Sequence, residues 1–182
     1  MTMLLDSKDV THEKLTVIDY DFDKDEKVFK DKPEKFISTC PVKYASNIGI
    51  TDLQIVLRGV CYTDGIVAKT FGDKTNYSIG ITLGKSSSEH LVKTIENFID
   101  TWRGIRKLRN KGITNLGSTV YCKVKHDGED YGCYLNGGPI NKATLVEQKG
   151  ALISIIVSLK MYVNWKDELV GVSLLTENIG TE

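Results

Sequence analysis

With 182 residues, 41% of them hydrophobic and 26% charged, the chain is long enough for one domain with a buried core and too apolar for wholesale disorder. Lys plus Arg and Asp plus Glu balance at 24 each, so no overall charge draws the protein to nucleic acid or to an anionic membrane. Its longest apolar stretch, ALISIIVSL (151–159), is less than half of what a bilayer-spanning helix needs, and MTMLLDSKD at the amino terminus lacks the apolar run of a secretory signal; the expectation is an intracellular protein without a membrane partner.

Residues 1–35 hold ten acidic and seven basic side chains. In DYDFDKDEKVFKDKPEK (19–35) charges alternate and apolar residues are sparse, so burial offers little against the entropy of ordering. This segment reads as a charged, partly disordered N-terminal arm, with the folded domain occupying residues 36–182. Beyond Phe36 the texture changes to short runs rich in Val, Ile and Tyr between turn formers: LQIVLRGVCY (53–62) and NYSIGITL (76–83) are the first strand candidates. SSSE (86–89) then has the spacing of a capping box, and Leu91, Ile95, Phe98, Trp102 and Ile105 recur at helical intervals, predicting one amphipathic helix. Further strands follow at STVYCKVKH (118–126), YGCYL (131–135), ALISIIVSLKMYVNW (151–165) and LVGVSLLTENI (169–179), with hairpins at HDGED and KDE. The predicted fold class is mainly β.

Several chemistries lack their parts. GITLGKSS (80–87) lies between a strand and a helix, but only three residues separate its glycines where a phosphate-binding loop has four. No GxSxG or HExxH occurs, and Cys40, Cys61, Cys122 and Cys133 form no CxxC pair and stand at no zinc-finger spacing from His12, His90 or His126. The expectation is a non-enzyme without metal or cofactor.

The distinctive feature is a local imbalance. From Thr101 to His126 there is no acidic residue, while Arg103, Arg106, Lys107, Arg109, Lys111, Lys123 and Lys125 give the stretch a charge of +7. On the strand 118–126, Val120, Cys122 and Val124 share one face, and Tyr121, Lys123 and Lys125 the other. The strand 151–165 repeats the pattern, Lys160 and Tyr162 alternating with Leu159, Met161, Val163 and Trp165; Arg58 alternates with Leu57 and Gly59 on an earlier strand. Aromatic rings beside ammonium groups are the elements that stack bases and follow phosphates in single-stranded nucleic acid.

YSIGITL, the helix, STVYCKVKH, and SLKMYVNWKDELVGVSLL together resemble the OB-fold single-stranded DNA-binding proteins of short-tailed coliphages and large DNA viruses, over about two thirds of the chain. The matching residues of the final hairpin are Ser158, Leu159, Tyr162, Trp165, Val170, Gly171 and Ser173. The resemblance implies a five-stranded OB-type barrel that binds single strands without sequence preference during viral or phage genome replication. Tyr121, Tyr162 and Trp165 would then stack bases, while Arg58, Arg103, Arg106, Lys107, Arg109, Lys111, Lys123, Lys125 and Lys160 follow phosphates. Single-stranded DNA is the expected partner, with RNA the alternative ligand and replication proteins or a second copy of the chain as further partners. The rival reading is a viral capsid or scaffold subunit with a β-sandwich fold. The acidic string of the arm is expected to compete with phosphates for the basic groove.

Overall fold

The computed structural model describes residues 1–18, 20–104, 106–127, 130–141 and 149–181. The fold is mainly β, and five long strands organise it: β1 (Gly49–Cys61), β2 (Lys74–Thr82), β3 (Thr119–Val124), β4 (Leu152–Asn164) and β5 (Leu169–Thr181). Their burial follows the sequence alternation. In β4, Ile153, Ile155, Val157, Leu159, Met161 and Val163 are buried, and every residue between them is half-exposed. A register shift in β5 opposite Ile156 and Val157 brings Ile179 back to the buried side.

The pairings close into a ring. β1 pairs with β2, β2 with β3, β3 with β5, β5 with β4, and β4 with β1. All of these contacts are antiparallel except β3 with β5. The short strand Arg109–Gly112 runs alongside the start of β5, and Val67–Phe71 forms a hairpin with β2.

The helix α2 (Lys85–Arg103) connects β2 to β3. Leu91, Ile95, Phe98 and Ile99 are buried along one side, worth about 1.5–3 kcal/mol each in apolar burial, and Trp102 is half-buried in the same stripe. The expected partner of that stripe at Ile105 lies outside the described residues. Gly84, not Ser86, is the N-cap, and no side chain caps the helix; Ser88 instead donates to the Lys85 carbonyl at 2.9 Å. Gly104, at φ +59°, ends the helix.

The first 35 residues do not form a free arm, and they contain a second helix. Thr2–Asp6 pairs in parallel with Asp52–Val56 of β1. Val10 and Leu15 enter the same core as the ring strands, and His90 of α2 lies 2.9 Å from the Val10 carbonyl oxygen. Helix α1 (Phe22–Asp31) follows, with the Asp21 carboxylate accepting from the amides of Asp23 and Lys24. Composition suggested otherwise because α1 buries no residue of its own fully; Phe22, which packs on Trp102 with ring centroids 4.3 Å apart, and Phe29 lie partly buried against the core. A domain boundary at residue 36 thus separates segments that share one core. No helix among the described residues is long and apolar enough to cross a membrane.

Candidate nucleic-acid interface

Alternation puts Tyr121 and Lys123 on the outer side of β3, since Val120, Cys122 and Val124 are buried beneath them. Across the β3–β2 ladder Tyr121 stands opposite Gly80, and Lys123 opposite Ser78. On the other side Lys123 is in register with Leu175 of β5, which in turn faces Ser158 of β4. Tyr162 of β4 stands opposite Gly171 of β5, and the Lys123 ammonium lies 5.8 Å from the centre of the Tyr162 ring. Tyr121, Lys123 and Tyr162 therefore share one outer face spanning three strands.

The cationic margin of this face extends both ways. Lys160 stands opposite Ser173 in β5 and shares a groove with Lys125, into which Glu177 and Asp52 also project. In the other direction Asn164, Leu169 and Arg109 form one cross-strand row, and Tyr162, Gly171 and Gly112 the next, so Arg109 lies one pleat, about 7 Å, further along the strand direction than Tyr162 and two strands, about 10 Å, across from it. Among the described residues no carboxylate lies within ion-pair distance of Lys107, Arg109, Lys111, Lys123, Lys125 or Lys160.

Tyr121 and Lys123 also border a groove of about 540 Å³ between the Val67–Phe71 hairpin and the Asn115–Leu116 strand. Its apolar rim carries Phe71, 58% exposed, and Leu116, 69% exposed. The Lys69 ammonium sits 5.4 Å from the Phe71 ring centre. Neither Phe71 nor Leu116 was singled out from the sequence. Each occupies a short turn-bounded segment whose period is too brief to read, and an aromatic placed directly before the GD turn at 72–73 was the available signal.

Four of the expected contact residues lie elsewhere or are already engaged. Trp165 is buried: its indole N–H donates to Ser38 Oγ at 3.0 Å, and Phe22 packs edge-on against it. It anchors the interior and offers no face to a base. Arg106 donates to the carboxylates of Asp23 and, at 3.4 Å, Glu26, while its guanidinium covers the Phe22 ring at 4.6 Å. Arg103 donates to the Leu108 carbonyl and to the Asp100 carboxylate at 2.9 Å, which closes the turn after α2. Arg58 lies 3.6 Å from the Asp6 carboxylate and opposite Ser154, six residues and about 20 Å along β4 from Lys160. Lys107 and Lys111 are exposed, Lys107 beside a cleft that includes Glu26 and Trp165.

No known protein-family model matches the chain, and no curated protein is significantly similar to it.

Proposed function

We propose that this protein binds single-stranded DNA without sequence preference, as an OB-type protein of viral or phage genome replication. The observation that carries the reading is the meeting of Tyr121, Lys123 and Tyr162 on one open face, with Arg109, Lys125 and Lys160 along its margins. Two half-exposed rings give base-stacking surfaces, and ammonium and guanidinium groups beside them take phosphates; neither element reads base identity. The strand order supports the OB-type assignment. The ring runs β1-β2-β3-β5-β4 with β3 and β5 parallel, a five-stranded Greek-key connection, and the groove beside Tyr121 lies against β2, β3 and the β1–β2 connection, where OB folds take oligonucleotides. The link to viral or phage replication rests on the sequence resemblance.

The test is fluorescence anisotropy of a labelled oligothymidylate titrated with the full chain. Intrinsic tryptophan emission is the poorer reporter, because Trp165 and Trp102 both pack against Phe22, away from the proposed face. Saturable binding at micromolar protein is expected, competed by unlabelled single strands and poorly by duplex. Oligouridylate as competitor measures the preference for DNA over RNA. Absence of binding at low salt, together with a large closed assembly in sedimentation, would replace this reading with that of a structural subunit.

A further inference from the structure

Both candidate stacking tyrosines lie over glycines of the neighbouring strand. A β-carbon added at Gly171 would stand 2.3 Å from Tyr162 Oη, 2.4 Å from Cζ and 2.8 Å from Cε1, so the ring occupies the space a side chain would take. At Gly80 the corresponding distances are 3.2 Å to Tyr121 Cε1 and 3.4 Å to Cδ1, with Thr63 Cγ2 at 3.1 Å on the other side. Neither glycine has the positive φ that would require one, and both sit inside strands, where glycine is entropically costly and has no side chain to pack. Backbone conformation therefore does not explain them, whereas close approach of a ring does.

We infer that Gly80 and Gly171 are positioning residues of the base-binding face, each seating a tyrosine ring flat against the adjacent strand. The inference rests on the reading of that face as a single-strand platform. A seated ring has one side fixed on the sheet and the other turned outward, so a base that stacks on it orders little that is not already ordered. It also favours unpaired bases, because a base within a duplex has both faces covered by its neighbours. Thr63 borders the first seat: its Oγ1 accepts from the Gly80 amide at 2.9 Å, and its hydroxyl donates to the Gly65 carbonyl at 2.7 Å.

The experiment is a double-mutant cycle in the full chain, read by anisotropy of labelled oligothymidylate at fixed low salt. Gly171→Ala is expected to weaken binding about as much as Tyr162→Ala, roughly 5- to 150-fold. In the Tyr162→Ala background, adding Gly171→Ala changes nothing further, because the ring through which the glycine acts is gone. Gly80→Ala and Tyr121→Ala form the parallel cycle. A spectroscopic readout separates seating from general damage. Burial raises the Tyr162 phenol above the ordinary tyrosine range, and a ring lifted off Gly171 titrates lower, which ring-carbon NMR of labelled tyrosine follows. Should Gly171→Ala lower thermal stability, the double variant recovers it, since removing the ring vacates the space; failure to recover would place the clash elsewhere and overturn the inference. Unchanged affinity in Gly171→Ala alongside weakened binding in Tyr162→Ala would overturn it too. If neither tyrosine substitution weakens binding, the stacking platform itself is wrong, a distinguishable result.

Discussion

Arg106 and Asp23 lie 83 residues apart and form an ion pair that joins the basic stretch after α2 to the first turn of α1. Glu26 reaches the same guanidinium at 3.4 Å, and Phe22 lies beneath it. An acidic segment thus occupies one cation of the +7 stretch, through two defined carboxylates on a helix. The pairs are exposed enough for salt to weaken them, the Asp23 side chain being 85% exposed.

Replacing Asp23 and Glu26 together by Asn and Gln leaves the Asp21 cap in place and removes both charges from Arg106, along with the Glu26 partner of Lys30. If phosphates extend past Arg109 to Arg106 but not to Lys30, this variant binds oligothymidylate several-fold more tightly at low salt, and the slope of log K against log salt steepens by about 0.7 for Arg106. The difference from the parent narrows at high salt. Titrations at three salt concentrations check this, and equal slopes for the two proteins would show that the bound strand stops short of Arg106.

If the proposed face binds single strands, stacking and charge leave separate signatures on it. Tyr121→Ala and Tyr162→Ala should each cost about 1–3 kcal/mol of binding with little change in salt slope. Lys123→Ala, Lys160→Ala and Arg109→Ala should each reduce the slope by about 0.7. The four cations Arg109, Lys123, Lys125 and Lys160 imply a parent slope of roughly −3 for a single strand. Arg58→Ala, by contrast, should alter neither quantity, because Arg58 lies on β1 opposite Ser154, about 20 Å along β4 from Lys160. Anisotropy across a salt series on this panel checks all of these outcomes.

The strands and α2 were legible in the sequence because each buries one face, and burial imposes a period of two or of 3.6 that survives in the residue order. The alternation in β4 also places Trp165 on the side of Met161 and Val163, so its parity marks it as an interior residue and not a stacking one. The N-terminal segment was illegible for a different reason. Thr2–Asp6 joins the sheet through a parallel partner 50 residues away, which leaves no local pattern, and α1 buries no residue fully, Phe22 and Phe29 packing only partly against the core. Its helical signal was electrostatic: the Asp21 cap and the Glu26–Lys30 pair at i,i+4 are the marks of a short surface helix. Which cations remain free could not be read from composition, because the Asp23 and Glu26 contacts to Arg106 are set only by tertiary packing.

Gly59 has no side chain because β1 and β2 approach closely there. A β-carbon on Gly59 would fall 2.1 Å from the Thr82 carbonyl oxygen and 2.9 Å from its carbon, both backbone atoms that cannot swing aside. Gly59→Ala therefore forces the β1–β2 contact apart, and Val60↔Thr82 and Cys61↔Ile81 are its only registered pairs among the described residues. The expected cost is about 3 kcal/mol or more, since overpacking is met here by the ring's own backbone. A urea unfolding series checks it, with a fall in midpoint at unchanged slope as the expected form.

The cysteines supply a probe of the core that does not depend on ligand. Cys122, wholly buried between Val120 and Val124 on β3, has its thiol pushed up to about 12 by burial, and Cys133 is raised to about 11, chiefly by burial and secondarily by Glu177. Cys61 is also raised by burial, whereas Cys40 is only half-buried. In the folded protein Cys40 should therefore react first with a thiol reagent at pH 8, and the other three should react at the rate of unfolding. The same shifts set a pH dependence. A buried thiol keeps its proton in the folded state while the unfolded chain ionises near 9.0, so folding is stabilised fully below that value. As pH rises past it, the unfolded state alone loses protons, and stability declines steadily up to about 12, where Cys122 ionises even when folded. Melting temperature should accordingly fall between pH 9 and 12, and Cys122→Ala should flatten that fall. An alkaline melting curve identical in slope for parent and variant would mean that Cys122 is not held as a neutral thiol in the core.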